Sequence, residues 1–276
     1  MQLSIVIASY QDPLGLYLTV FSVLQQLQKT TLEWEIIIAA DGGTEYKWEK
    51  LPNTRCLRIR IGSPQGTRDA GIRAAQAASV LCIESHIIIS DIAALLEAHI
   101  ALKGALTFPS RIGEGPEMFS VYGSTTDWAG KLWYGHHLYR PQNGNQPYRV
   151  VQFGHSCFVI DRNWYVSSNG YTNLQQGWGG EEPFLCLKAW MLGRECWMVP
   201  DVWHAHYLTP NAHGDAMASE NFTRNFEIVK YVMNGDQGHL RLTPELIAER
   251  KKICAGPFHG NLNELREHFK REGIQS

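Results

Sequence analysis

The chain has 276 residues, 44% hydrophobic and 19% charged, which suits an ordinary soluble globular protein built as one large domain or one domain with appendages. Its formal net charge of -2 argues against non-specific binding to nucleic acid through bulk charge, although a local basic patch stays open. No apolar run reaches membrane-spanning length, no secretory leader is visible after Met1, and the six cysteines form no C-x-x-C pair, so free thiols in a reducing, cytoplasmic setting are expected.

The first part of the chain alternates apolar runs with helical patterns. Residues 3–8 read as a buried strand and 14–27 as a helix with Leu16, Val20, Val23 and Leu27 on one face. Residues 34–40 form the second expected strand, closed by Asp41-Gly42-Gly43, and 46–51 at most a short helix. A third strand is expected at 56–61, a loop at 62–66, a helix at 67–78, and a fourth strand at 80–83 that ends in Glu84-Ser85-His86. This β-α-β-α order predicts a parallel sheet with right-handed crossovers and a ligand site beyond the carboxyl ends of its strands. Asp41 and Glu84 fall at such ends, although an Asp before two glycines equally suits a simple turn. Alternate residues at a strand end point the same way, so Glu84 and His86 can ligate one ion. A carboxylate with an imidazole suits Mn²⁺ or Mg²⁺ holding a diphosphate.

Ser4-Ile5-Val6-Ile7-Ala8-Ser9-Tyr10, residues 36–43, and Gly66-Thr67-Arg68-Asp69-Ala70-Gly71 resemble, in order and spacing, the nucleotide-binding half of family 2 glycosyltransferases with the GT-A fold. That resemblance covers roughly the first hundred residues. It implies a nucleotide-sugar donor site that includes Ala8 and Tyr10, with Asp41 against the uracil or other base and Arg68 near the base or phosphates. Glu84-Ser85-His86 would replace the D-x-D metal motif, with Glu84 one methylene longer than the usual Asp. The polypeptide N-acetylgalactosaminyltransferases have D-S-H at this place.

Residues 118–124 and 150–160 read as strands around a loop-rich span, 125–149, which carries Trp128, Trp133, Tyr134, Tyr139 and Tyr148 beside Lys131, His136, His137, Arg140 and Arg149. Aromatic faces stack on sugar rings or bases and cationic groups meet phosphate, so a lid over donor and acceptor is expected here. Aromatics that pin a loop to the core are the alternative.

Gln176-Gly177-Trp178-Gly179-Gly180-Glu181-Glu182-Pro183-Phe184 then opens a helical pattern that runs to Gly193. Glycines let a ring-shaped ligand approach the backbone, and carboxylates in a first helical turn are favoured by its positive end. One carboxylate can hold sugar hydroxyls while the other takes a proton from an attacking hydroxyl. Phe153 to Ile160, Asn169-Gly170-Tyr171 and this stretch are similar to the carboxyl-terminal region of β-1,4-galactosyltransferases and polypeptide N-acetylgalactosaminyltransferases. The galactosyltransferase pattern is G-W-G-G-E-D. The resemblance implies Glu181 as sugar or acceptor ligand, Glu182 as the base, Gly179 and Gly180 against the donor, and Trp178 on the acceptor side.

A strand is expected at 195–199, followed by Pro200-Asp201-Val202-Trp203-His204-Ala205-His206. By its spacing from Trp178, His206 falls where the N-acetylgalactosaminyltransferases have their third metal ligand, with His204 as the substitute candidate. Helices at 221–233, 244–253 (capped by Thr243) and 262–271 carry charges that read as solvated faces.

The expected plan is an α/β GT-A domain over 1–215, with a mostly parallel central sheet flanked by helices, divided into a nucleotide-sugar half (1–100) and an acceptor and catalytic half (101–215), then a helical extension over 216–276. Its expected activity is metal-dependent hexosyl transfer from a nucleotide sugar, a UDP-sugar foremost, to a hydroxyl of a saccharide or protein, with inversion. Two alternatives stay open: transfer to a hydroxymethylated DNA base held by the aromatic and basic lid, and a non-catalytic sugar-nucleotide or glycan-binding module.

Overall fold

A computed structural model describes residues 1–42, 48–112, 120–121, 124–125, 135–136, 145–171, 174–207 and 220–274. The first half runs β1 (Leu3–Tyr10), α1 (Pro13–Leu27), β2 (Trp34–Asp41), a 3-10 turn (Trp48–Lys50), β3 (Thr54–Ile59), α2 (Pro64–Ala74) and β4 (Ser79–Glu84). Then come β5 (Ile87–Ile89), α3 (Ile92–Leu102), β6 (Leu106–Ile112) and the two-residue strands β7 (Ser120–Val121), β8 (Ser124–Thr125), β9 (Gly135–His136) and β10 (Tyr148–Arg149). The remainder is β11 (Cys157–Asp161), α4 (Arg162–Ser167), α5 (Glu181–Met191), β12 (Cys196–His206), α6 (Glu220–Asn234), α7 (Pro244–Cys254) and α8 (Leu262–Arg271).

One sheet runs β10-β12-β6-β11-β4-β1-β2-β3. Its β4-β1-β2-β3 part is wholly parallel, as the β-α-β order requires. Past β4 the sheet is mixed: β11 is antiparallel to β4 and β6, and β12 is parallel to β6. Because side chains alternate across a strand, β1 feeds two cores. Leu3, Ile5 and Ile7 pack with α1 and α3, through Leu16, Val20, Leu95 and Leu96. Val6 joins Ile72 of α2, Phe184 and Leu185 of α5, and Ile228 and Val229 of α6 on the other face. The sheet is thus flanked by helices, as expected.

Several local expectations change. Helix α2 begins at Pro64 rather than 67, because the Ser63 hydroxyl caps it by accepting from the Gly66 N–H and Pro64 suits the first turn. It stops at Ala74, since Ala75 is already extended (ψ 148°). The strand expected over 150–160 is confined to Cys157–Asp161. A turn at His155 and Ser156 precedes it, swinging His155 into the core, where the Tyr171 hydroxyl meets its Nδ1 at 2.6 Å. Of the strand expected over 118–124, the described parts are Ser120–Val121 and the first residue of Ser124–Thr125. Strand β12 is longer than expected; a register shift between Val199 and Trp203, where Pro200 lacks a donor, lets it continue to His206.

The charged C-terminal helices are not simply solvated. Ile228, Leu246, Ile253, Leu265 and Phe269 belong to the same core as Val6, and Glu249 is buried in an ion pair with Lys188 of α5 (2.5 Å). The 215/216 boundary lies outside the described residues. All six cysteines are free thiols, four of them buried. Among the described residues, no helix is long and apolar enough to cross a membrane.

Candidate active site

The site is built where β1, β2 and β4 end and α5 begins. Strand β4 delivers Glu84, whose N–H donates to the Ser156 carbonyl (2.9 Å), and the next N–H, of buried Ser85, donates to the Ala8 carbonyl of β1 (2.9 Å). His86 does not converge on Glu84 by strand alternation, as the spacing suggested. It sits past the strand in a left-handed turn, φ +64°, which brings its Nε2 to 4.0 Å from Glu84 Oε2. His206 ends β12, opposite Ile87 of β5, and its Nε2 donates to the same oxygen (3.1 Å).

Ligand atoms of Glu84, His86 and His206 all lie within 4.8 Å of one another. Neighbouring ligands of a small divalent ion stand about 3 Å apart, so modest closure would seat one. The donor set fits as well: His86 Nδ1–H donates to Asp12 Oδ2 at 2.7 Å, which leaves Nε2 free to ligate. Asp12 also caps α1 by accepting from the Gly15 N–H (2.9 Å), and a Cβ on Gly15 would collide with both Asp12 and His86. His204 stands apart from the cluster, wholly buried, with Nε2 against the Ser156 hydroxyl (2.9 Å). Burial foremost lowers its pKa to about 3, so it is neutral.

Arg68 of α2 lies beneath this cluster, 2% exposed, and ion-pairs with Glu84. Burial of Glu84 opposes its charge, but Arg68 and then His206 outweigh that and hold the carboxyl far below the usual range. The other side of the same guanidinium is 3.8 Å from Glu181 Oε1. Glu181 opens α5 and is wholly buried, and among the described residues neither of its oxygens has a hydrogen-bond donor. The helix start was expected to favour its charge. Instead burial, then repulsion from Glu182, push it up to about 8 against the pull of Arg68. Glu182 beside it is only partly buried.

The loop into α5 is shaped by Gly179 (φ +101°) and Gly180 (φ +77°), conformations that glycine adopts without strain. A Cβ on Gly179 would overlap the Phe222 ring of α6. Trp178 stacks on that ring (centroids 5.6 Å, 21°), so one aromatic face is already used within the protein. Asn225, one turn along α6 and fully buried, accepts from Gln176 N–H (3.1 Å) and donates to the carbonyls of Gln176 (2.7 Å) and Trp178 (3.4 Å). Asp12, Phe222 and Asn225 escaped the sequence reading. Only Asp12 carried a signal, as an Asp-Pro pair at a helix start.

Asp41 ends β2, buried, and accepts from the N–H groups of Ile61 (3.1 Å) and Gly62 (2.7 Å) and the Thr67 hydroxyl (3.1 Å), which ties down the turn from β3 into α2. Tyr10 stands 62% exposed at the end of β1, while Ala8 is nearly covered. The lid candidates Trp128, Trp133, Tyr134 and Arg140 lie outside the described residues.

The chain matches solved glycosyltransferases in fold. It superposes on GalNAc-T7, solved with UDP, GalNAc and Mn²⁺, with a TM-score of 0.68 and 18% identity, covering 100% of this chain and 55% of that one. It superposes on TarS of S. aureus with a TM-score of 0.56 and 14% identity, covering 98% of this chain and 44% of that one. The chain therefore spans about half the length of these structures. No curated protein sequence matches it. The family model described as glycosyl transferase family 2 matches residues 4–167, more than half of the chain. With a helix-flanked sheet and with Glu84, His86 and His206 gathered at its strand ends beside Arg68 of α2, the chain belongs to glycosyl transferase family 2.

Proposed function

We propose that the protein moves a sugar from a nucleotide-sugar donor, a UDP-sugar foremost, to an acceptor hydroxyl in a reaction that depends on a divalent metal. The observation that carries this reading is the meeting of Glu84, His86 and His206 with Arg68 and Glu181, the first carboxylate of α5, beyond the end of β4. GalNAc-T7, solved with UDP and Mn²⁺, is in keeping with it. Glu84, His86 and His206 would hold Mn²⁺ or Mg²⁺, which supplies positive charge opposite the leaving diphosphate. Ala8, Tyr10, Asp41, Ser85, Gly179 and Gly180 would line the donor, with Arg68 adding charge from below.

Glu181, protonated near neutrality, both donates to and accepts from sugar hydroxyls, which suits a buried carboxyl whose oxygens accept no hydrogen bond from the described residues. Glu182, partly exposed at the same helix start, would take the proton of the acceptor hydroxyl as its oxygen attacks the sugar carbon. Attack from the face opposite the nucleotide implies inversion. Trp178 and the span holding Trp128, Trp133, Tyr134 and Arg140 would contribute the acceptor side.

Transfer and donor binding of Glu182→Gln test this. Transfer should fall roughly 10²–10⁴-fold, the scale of lost general-base help, while UDP and Mn²⁺ bind as before. Wild-type turnover in Glu182→Gln would remove the base assignment, and full activity in EDTA would remove the metal.

A further inference from the structure

Beside the site lies a cavity of about 530 Å³ that the reading above leaves unused. Its walls come from the β3–α2 turn and first turns of α2 (Ser63, Gln65, Asp69), the loop before α5 (Gln175, Gln176) and the start of α6 (Asn221). Gln65 and Gln175 are 1% and 4% exposed, and among the described residues the amide oxygen and nitrogen of each have no hydrogen-bond partner. Buried polar atoms are almost always satisfied, because an unmade hydrogen bond leaves the desolvation cost standing. Four such atoms, from two separate elements that line one cavity, therefore point to a ligand.

The lining decides its chemistry. Among the described residues, no Lys or Arg lines the cavity and Asp69 does, which disfavours phosphate or carboxylate. Nor does any aromatic ring of the described residues line it, so these walls offer a planar base no stacking face. An amide presents a donor and an acceptor side by side, as adjacent sugar hydroxyls do. The size falls within the range of small-ligand sites. We infer that this cavity is a saccharide-binding subsite in which Gln65 and Gln175 hold the hydroxyls of one neutral sugar unit.

Its position suggests what that unit is. Asp69 follows Arg68 on α2, the loop holding Gln176 leads into Glu181, and Gln175 Nε2 lies 3.1 Å from where a Cβ on Gly180 would stand. A sugar held there belongs to the acceptor, next to the unit that is glycosylated. That last step rests on the transfer reading; the binding step does not.

The two steps are separated by measuring binding without donor. Ligand-observed NMR and calorimetry on the full chain would use the methyl glycosides of glucose, galactose, mannose, N-acetylglucosamine and N-acetylgalactosamine, with uridine as the competing class. At least one glycoside should bind, and Gln65→Leu and Gln175→Leu should each weaken it tenfold or more. Both variants should melt no lower than wild type, since each removes unsatisfied amides, and should bind UDP with Mn²⁺ unchanged. Failure of every glycoside to bind, or binding that survives both substitutions, overturns the subsite. So does binding of uridine that the same substitutions abolish, which would make the cavity a base pocket. If glycosides bind through the glutamines but no donor is turned over, the subsite stands and the transfer reading fails.

Discussion

Glu84 ends a parallel strand, Glu181 begins a helix, and Arg68 stands between them, in an ion pair with the first and 3.8 Å from the second. The strand-end carboxyl is held far below its usual pKa and the helix-start carboxyl is pushed up to about 8. Simple rules predict the opposite ordering, because a helix start favours negative charge. Yet that dipole is worth about 0.3–1 kcal/mol at a surface, and desolvation of a wholly buried carboxylate exceeds it. The difference lies in what else each group touches. Glu84 has a guanidinium and two imidazoles around it, whereas Glu181 has a distant share of one guanidinium and a like charge next door.

The largest expected effect tests the Glu181 half. Its folded pKa, about 8, lies above the ordinary 4.5, so the native state binds the proton more tightly. The stability this contributes is complete below pH 4.5 and is lost as the pH rises through 8. Glu181→Gln stays neutral throughout. Over that window it should gain on wild type by roughly 1.4 kcal/mol per pH unit at most, read from urea melts of the metal-free protein. Parallel stability curves for the two proteins would show that Glu181 titrates normally.

Breaking the other half should cost less in total but at every neutral pH. Glu84→Gln leaves Arg68 buried with Glu181 as its one acidic partner among the described residues, and losing one partner of a buried pair destabilises by about 3–5 kcal/mol. The wild-type advantage is present above pH 4.5 and lost as the pH falls toward the depressed folded value, so the two proteins should converge only in strong acid. Glu181 should also become more acidic in this variant, because Arg68 is no longer shared. A carboxyl carbon resonance of Glu181 that titrates as in wild type would contradict the sharing.

A smaller effect is expected from the loop that presents Glu181. Asn225→Ala removes its hydrogen bonds to Gln176 and Trp178 and leaves part-buried backbone groups unmet, a loss of about 1 kcal/mol. If Asn225 positions the loop rather than merely stabilising it, kcat should fall while KM for the donor holds. A loss of stability with unchanged kcat would reduce Asn225 to a core residue.

Which of these groups could be read in the sequence follows from distance along the chain. Glu84 and His86, or Gly179 through Glu182, are each one short string, and the alternation of apolar runs fixed the parallel half of the sheet. Asn225 meets its partners 49 and 47 positions away, and nothing local marks an Asn inside a helix as their anchor. Helix α3, with buried Ile92, Leu95 and Leu96 and several further apolar residues, has too little contrast between its faces to show a period. The run at 150–160 was apolar because it is buried, and burial alone does not distinguish a strand from a turn that tucks His155 into the core.

Asp12 was hidden for the same reason, 74 positions from His86, and its replacement should have the smallest effect on stability. One carboxyl oxygen caps α1 and the other accepts the proton of His86 Nδ1. In Asp12→Asn the amide oxygen can keep the cap, since Asn and Asp cap about equally well, so stability should change by only a few tenths of a kcal/mol. The amide nitrogen must then face His86, and being a donor it requires Nδ1 to accept. The ring proton moves to Nε2, the nitrogen directed at Glu84 and needed for the metal. Mn²⁺ affinity, measured by calorimetry without donor, should fall about 10- to 100-fold, the usual scale for disturbing a ligand's orienting partner. Asp12→Ala provides the contrast: it loses the cap, at about 1 kcal/mol, but leaves the His86 tautomer free to suit the ion. If Asp12→Asn binds Mn²⁺ as tightly as wild type, His86 is not a ligand through Nε2, and the strand-end cluster reduces to Glu84 and His206.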